Sequence, residues 1–218
     1  MLSEIDFLKA ADFIRLYAKK QYRKPEKSDK PEQMQLICEK GREALKEMKA
    51  FGTLCQKEFG LVDIKNRAWQ NSGYVLGSFW CRGKLPGFES LPVTLSLFIE
   101  PAKVGGARAR LAVILDYKNS DWDKINSNDK KRYCRIFDQE IEHNPNLRYV
   151  HYDDGSLYGD ILNIPRDQIL NRILTGELYE AHLSYLIPFN DNQTNEMLKT
   201  EILEGMRSLI PYYRYVCM

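Results

Sequence analysis

Two short apolar runs constrain this chain most: Pro92-Val-Thr-Leu-Ser-Leu-Phe-Ile99 and Arg110-Leu-Ala-Val-Ile-Leu-Asp-Tyr117, separated by Gly105-Gly106. Both are rich in residues that suit a pleated, buried surface, and both fall far short of the roughly 20 residues that a membrane-spanning helix needs. A Gly-Gly pair between two such runs makes an antiparallel hairpin the natural connection. Its apolar face has to be covered by something, so the sheet predicts helices packed on it.

The flanking segments supply both. Ser3 opens a helical stretch with Asp6 three residues on, followed by Phe7, Ala11, Ile14 and Ala18 at helical spacing to about Tyr22. A polar connector, Lys19-Lys20-Gln21-Tyr22-Arg23-Lys24-Pro25-Glu26-Lys27-Ser28-Asp29-Lys30, leads to a second helix. Ser28 or Asp29 can cap it, Pro31 suits its first turn, and Ile37, Gly41, Leu45, Met48 and Phe51 form its stripe, fading near Gly60. After residue 60 the pattern turns to strands: 74–81, the two runs above, 147–152, 156–164 and 178–189. Asp153-Asp154-Gly155 marks a second hairpin turn. Helices are expected from Asn126 or Ser127 through Ile141, over 166–175 up to Gly176, and from Thr194 to Leu209 before Pro211. The expected fold class is α+β: a central mixed or antiparallel sheet with helices at the N-terminus, middle and C-terminus. Residues 1–60 form a helical segment and 61–218 the α+β domain, in one compact unit of 218 residues.

Composition excludes more than it names. Apolar residues at 44%, aromatics at 11% and charge at 28% are ordinary for a globular domain and rule out a wholly disordered chain. The first six residues have neither a basic start nor an apolar block, so no secretory signal is expected and a cytoplasmic location follows. Five widely spaced cysteines without a C-x-x-C argue for reduced thiols, against both a disulfide framework and a cysteine zinc site. His143, His151 and His182 are isolated, and the zinc-protease, serine-hydrolase and phosphate-loop motifs are absent. His151 beside Asp153 and Asp154 could hold a metal, but an Asp-Asp-Gly turn accounts for both acids. No cofactor or metal is expected.

Three constellations carry chemistry. Asp116-Tyr117-Lys118 at a strand end is half of a nuclease pattern, in which two carboxylates hold Mg²⁺ and a lysine orients water. If the two runs pair through Gly105-Gly106, Glu100 falls opposite Ala109, about six residues and roughly 20 Å from Asp116 at about 3.3 Å per residue. That is too far to share a metal; Glu89 falls at the same end as Lys118. The nuclease alternative therefore needs Glu89, Asp116 and Lys118. A solvated strand end has the same sequence.

The second constellation is basic. Lys103, Arg108 and Arg110 gather at the Gly105-Gly106 connection, and six cations enrich the 19–30 connector. Cations on an adaptable tip suit phosphate contact, and they equally suit protection of a sheet edge. The third is aromatic: Trp69, Tyr74, Phe79, Trp80 and Phe88 fall close together, and Tyr212, Tyr213 and Tyr215 crowd the end. Aromatics stack on unpaired bases as readily as they pack a core. Alternation over 74–81 puts Tyr74, Leu76 and Trp80 on one face, which makes Tyr74 and Trp80 the candidates.

Gly73-Tyr74 followed by Trp80, then Leu91-Pro92-Val93-Thr94-Leu95-Ser96-Leu97-Phe98 and a returning strand, resembles the sheet of the amino-terminal DNA-binding domain of McrB-type modification-dependent restriction proteins. Gly176-Glu-Leu-Tyr-Glu-Ala-His-Leu-Ser-Tyr185, a polar link, then 196–204 and Tyr212 are similar to that family's closing strand and helix. The chain has Gly-Tyr-Val-Leu-Gly-Ser where the family has a Gly-x-Gly-Asn-Trp-like turn, a longer helical front end, and no GTPase module. The resemblance implies binding of modified duplex DNA, with a base flipped into an aromatic pocket. The expected function is thus a non-enzymatic nucleic-acid-binding protein, of a defence or restriction system, contacting phosphate through Lys103, Arg108 and Arg110 with Tyr74 and Trp80 beside them. A protein-interaction or inhibitor module is the other alternative.

Overall fold

The computed structural model describes residues 5–102, 106–115, 125–139, 144–153, 156–160, 166–175, 177 and 181–218. Helix α1 (Phe7–Tyr17) is capped by Asp6, whose carboxylate accepts from the Lys9 N–H at 3.2 Å. Ser3, the expected cap, lies outside the described residues. The helix stops at Tyr17 because the chain beyond it is taken up by strand-like bonds to the 73–75 backbone: Lys19 N–H to Val75 O, Val75 N–H to Lys20 O, and Tyr22 N–H to Gly73 O at 2.8 Å.

A 3-10 turn (Pro25–Lys27) precedes α2 (Pro31–Phe59), which has Pro31 in its first turn and Gly60 as a left-handed C-cap at φ 69°. Lys30, not Ser28 or Asp29, occupies the N-cap; the Ser28 hydroxyl instead accepts from the Lys30 N–H.

The strands are β1 (Val62–Asn66), β2 (Gln70–Asn71), β3 (Tyr74–Val75), β4 (Phe79–Lys84), β5 (Val93–Pro101), β6 (Ala107–Leu115), β7 (Leu147–Asp153), β8 (Ser156–Asp160) and β9 (Ala181–Pro188). Seven of them form one antiparallel sheet in the order β1-β4-β5-β6-β9-β7-β8, while β2 and β3 make a separate small hairpin. Two expectations need correction. The 74–81 strand is two strands in two sheets, because β3 pairs with β2 and the connector before the chain turns into β4. Strand β1 adds an edge to the sheet that the expected strands lack; Val62 and Ile64 alternate there with Asp63 and Lys65.

Helices α3 (Ser127–Cys134), α4 (Arg166–Leu174) and α5 (Asn195–Cys217) complete the fold. Asn126 caps α3 by accepting from the Asp129 N–H at 2.8 Å, and the helix passes into a 3-10 turn (Arg135–Asp138) earlier than its apolar spacing suggests. Helix α5 runs through Pro211 instead of stopping at Leu209. Proline removes one backbone donor, but Tyr213, Val216 and Cys217 still bury on the same side, and the Tyr213 hydroxyl donates to Val93 O.

The two sheet faces differ in character. Phe79, Cys81, Leu95, Leu97, Ile99, Ala109, Leu111, Val113, Leu183, Tyr185 and Ile187 point to one face and are buried under α1, α2 and α5 in a single apolar cluster. Gly205 lets α5 approach closely, since a Cβ there would meet Leu111 and lie 2.7 Å from the Tyr185 ring. The other face carries Trp80, Arg82, Ser96, Phe98, Glu100, Arg108, Arg110, Ala112, Ser184 and Arg148.

Candidate nucleic-acid interface

The hairpin register decides the fate of the expected basic tip. Glu100 pairs with Arg108 and Phe98 with Arg110, one residue away from the expected pairing of Glu100 with Ala109. A slip of one residue moves a side chain to the opposite face. In the register found, Glu100, Arg108 and Arg110 share a face and bond to one another. Arg108 Nε donates to Glu100 Oε1 at 2.9 Å, Arg110 Nε to the same oxygen at 3.1 Å, and Arg110 Nη2 to Oε2 at 3.3 Å.

Arg110 is wholly buried, with its guanidinium carbon 3.8 Å from the centroid of its cross-strand neighbour Phe98. A buried, carboxylate-paired arginine does not reach a phosphate at the surface, so Arg110 belongs to the interior of this face and not to an exposed tip. Lys103 lies outside the described residues.

Trp80 stands across from Phe98 in the same row, half-buried, with the Arg82 guanidinium 4.1 Å from its ring centroid. Trp80, Phe98 and Arg110 thus share one side of three adjacent strands. The same side of the sheet carries Arg82, Arg108, Arg110 and, on β7, Arg148, together with Glu100.

Tyr74 is elsewhere. It sits on the β2–β3 hairpin at 54% exposure, bridged to Gln21 of the connector. The connector itself is the more open basic surface. Lys19, Lys20, Arg23, Lys24, Lys27 and Lys30 are all exposed, and Arg42 joins them from α2. None of these seven forms an ion pair with a described residue. Lys20 stands 5.5 Å over the Tyr17 ring.

A groove of about 1030 Å³ runs between connector and α2, lined by Arg23, Lys24, Lys27, Arg42, Tyr22 and Trp69 among others. On α2 its wall residues Gln35, Cys38 and Arg42 fall at helical spacing. Trp69 meets Tyr22 edge-on at 4.7 Å and lies on Gly41, where a Cβ would come within 2.6 Å of the indole. Burial, with Cys38 hydrogen-bonded beside it, pushes the Tyr22 phenol up to about 12, and Arg42 pulls the other way. Local pattern marks Trp69 only as one aromatic of a cluster and does not mark Arg42 at all, because both join the site only when the connector folds back.

Of the nuclease alternative, Asp116 and Lys118 lie outside the described residues. Glu89 is fully exposed, and backbone N–H groups at Glu89 and Gly87 hold its carboxyl below the usual range. Lys84 reaches past it to donate to the carbonyls of Glu89 and Leu91 at 2.6 and 2.7 Å. Among the described residues no cluster of three or more His, Cys, Asp or Glu side chains could hold a metal ion. Among the same residues no helix is long and apolar enough to cross a membrane. No protein-family model matches the chain, and a search of curated proteins finds no match.

Proposed function

We propose that this chain is a nucleic-acid-binding protein, of the kind a defence or restriction system uses, and that the 19–30 connector is its phosphate-contacting surface. The observation that carries the reading is the set of seven cations, Lys19, Lys20, Arg23, Lys24, Lys27, Lys30 and Arg42, gathered without an ion-pair partner among the described residues. Like charges repel, and the connector sets six cations against the two carboxylates Glu26 and Asp29, so it carries an excess of positive charge that a polyanion stabilises. The exposed Tyr74 ring bridged to the connector at Gln21 offers a stacking partner beside the phosphates. Arg108, half-buried, and Lys103 remain part of the proposal as auxiliary contacts, with Trp80 on the sheet face.

Fluorescence anisotropy with labelled duplex and single-stranded DNA and RNA, from low to moderate salt, tests this. Engagement of about four to five phosphates gives a logarithmic salt slope on the order of −4 for a duplex. Replacing Lys19, Lys20 and Lys24 together by Ala should flatten the slope by about 3, equally for all sequences, since such contacts position without reading bases. Absence of binding at the lowest salt would overturn the reading in favour of an interaction module.

A further inference from the structure

The groove between connector and α2 has properties that an outer basic surface does not need. It is concave, it has an aromatic wall, and its cations arrive from different elements: Arg23 and Lys24 from the connector, Lys27 from the 3-10 turn, Arg42 from α2. We propose that this groove binds a nucleoside 5′-phosphate, carried either by a free nucleotide or by the phosphorylated end of a strand. This goes beyond a polyanion surface, because it asks for a terminal phosphate and one nucleoside rather than a length of backbone.

The charge argument comes first. Four cations line the groove and Glu26 is the carboxylate among the lining residues. None of the four cations forms an ion pair with a described residue. An internal phosphodiester brings one negative charge, whereas a phosphomonoester brings about −1.5 to −2 at neutral pH and three acceptor oxygens. Four cations lining one groove favour the more highly charged group. Arg23 and Arg42 supply planar forks that meet two of those oxygens at once, and the two lysines supply point charge.

Shape and chemistry of the remaining wall come second. Tyr22 and Trp69 form an apolar side, while Gln35 and Gln70 offer amide groups to a base edge. A volume of about 1030 Å³ is at the upper end for a small-ligand cleft and ample for one or two nucleotides.

The wall is also held in place before any ligand arrives. Trp69 is packed on Gly41, Tyr22 is tied by its N–H to Gly73 O at 2.8 Å, and the Arg23 N–H donates to Met34 Sδ at 3.4 Å. Fixing a loop beforehand lowers the ordering cost of binding.

The test uses the full chain and three probes in calorimetry at fixed ionic strength: adenosine 5′-monophosphate, adenosine and inorganic phosphate. The nucleotide should bind at least about tenfold more tightly than either fragment, and Arg42→Gln, an exposed change on α2, should weaken it by about tenfold. Far-UV circular dichroism checks that the variant keeps its helix. In parallel, anisotropy compares a short strand bearing a 5′-phosphate with its 5′-hydroxyl twin. A preference for the phosphorylated strand that the free nucleotide competes away identifies a strand end as the source. Nucleotide binding without that preference identifies the free nucleotide. Nucleotide affinity no greater than that of inorganic phosphate, or unchanged in Arg42→Gln, overturns the proposal. If strands bind with the expected salt slope while nucleotide and 5′-phosphate have no effect, the groove proposal fails and the polyanion reading stands. If nucleotide binds and no strand does, the reverse holds.

Discussion

Arg110 and Glu100 meet inside the sheet, Nε to Oε1 at 3.1 Å, with side chains 1% and 3% exposed. Arg108 shares the same carboxylate oxygen from the position directly across the ladder. Two guanidinium groups therefore bond to one buried acid, and loss of Glu100 takes a charge partner from both at once. Removing one partner of a buried pair leaves the other charge uncompensated, and that costs more than the pair itself contributes.

Glu100→Gln should lower stability by about 3–5 kcal/mol in urea unfolding, a loss that added salt does not restore. Combining Glu100→Met with Arg110→Leu should cost less than Glu100→Gln alone, because the double change removes the buried carboxylate and the fully buried guanidinium together. A double variant as damaged as the single one would show that packing against Phe98, not charge, is what Arg110 supplies.

Acid stability should follow His182. Burial, and then the nearby Arg110 charge, push its imidazole well below 6.5, so it is neutral in the folded state. In the unfolded chain it takes up a proton near pH 6.5. Below that pH the unfolded state binds more protons, and stability falls as pH drops, by at most about 1.4 kcal/mol per pH unit for one such group. Unfolding followed from pH 7 to pH 5 should show this slope, and His182→Asn should reduce it.

The thiols set the alkaline limit. Burial pushes Cys81 and Cys134 up to about 12 and Cys217 up to about 11. Once unfolded, the same thiols ionise near 9.0, so above that pH the unfolded state has lost protons that the folded state keeps. Stability should therefore decline from pH 9 upwards. A thiol-specific reagent at pH 8 should label these positions only at the rate of unfolding, and fast labelling of the native protein would contradict their burial.

Two glycines should respond to alanine for different reasons. Gly205→Ala drives a methyl into Leu111 and Tyr185 under α5 and should cost about 1–3 kcal/mol by overpacking. Gly60→Ala meets no neighbour within 4 Å, yet must hold φ at 69°, so about 1 kcal/mol of backbone strain is expected. Equal values in thermal unfolding would mean that α5 can shift away from the sheet.

Tyr74→Ala should leave stability unchanged, because the residue is 54% exposed, and should weaken binding of single-stranded nucleic acid by about 1–3 kcal/mol through lost stacking. The salt slope should stay as it was, since the ring carries no charge. A parallel loss of slope in anisotropy would place Tyr74 in holding the connector rather than in contacting a base.

Local pattern made much of the fold legible. The apolar runs 92–99 and 110–117 announced the central hairpin, the Ile37-Gly41-Met48-Phe51 spacing announced α2, and Asn126 marked the start of α3. In each case neighbours along the chain supply the cause: alternation, helical spacing, or a cap reaching its own first turn. Elements failed to read where a distant partner overrides that local signal. The 74–81 run breaks because its first residues bond to the connector, and α5 passes Pro211 because the sheet keeps burying its apolar side.

The residues themselves determined that this chain makes an antiparallel hairpin, covers it with helices, and concentrates cations in the 19–30 connector. Tertiary structure alone decided which cations remain available to a partner. A one-residue difference in register turned Arg110 inward onto Glu100. The return of the connector across α2 brought Arg23, Lys24 and Lys27 beside Arg42. Whether a charge is matched depends on the distance to its counter-charge, and that distance is set by strand pairing and helix packing between segments far apart in the chain.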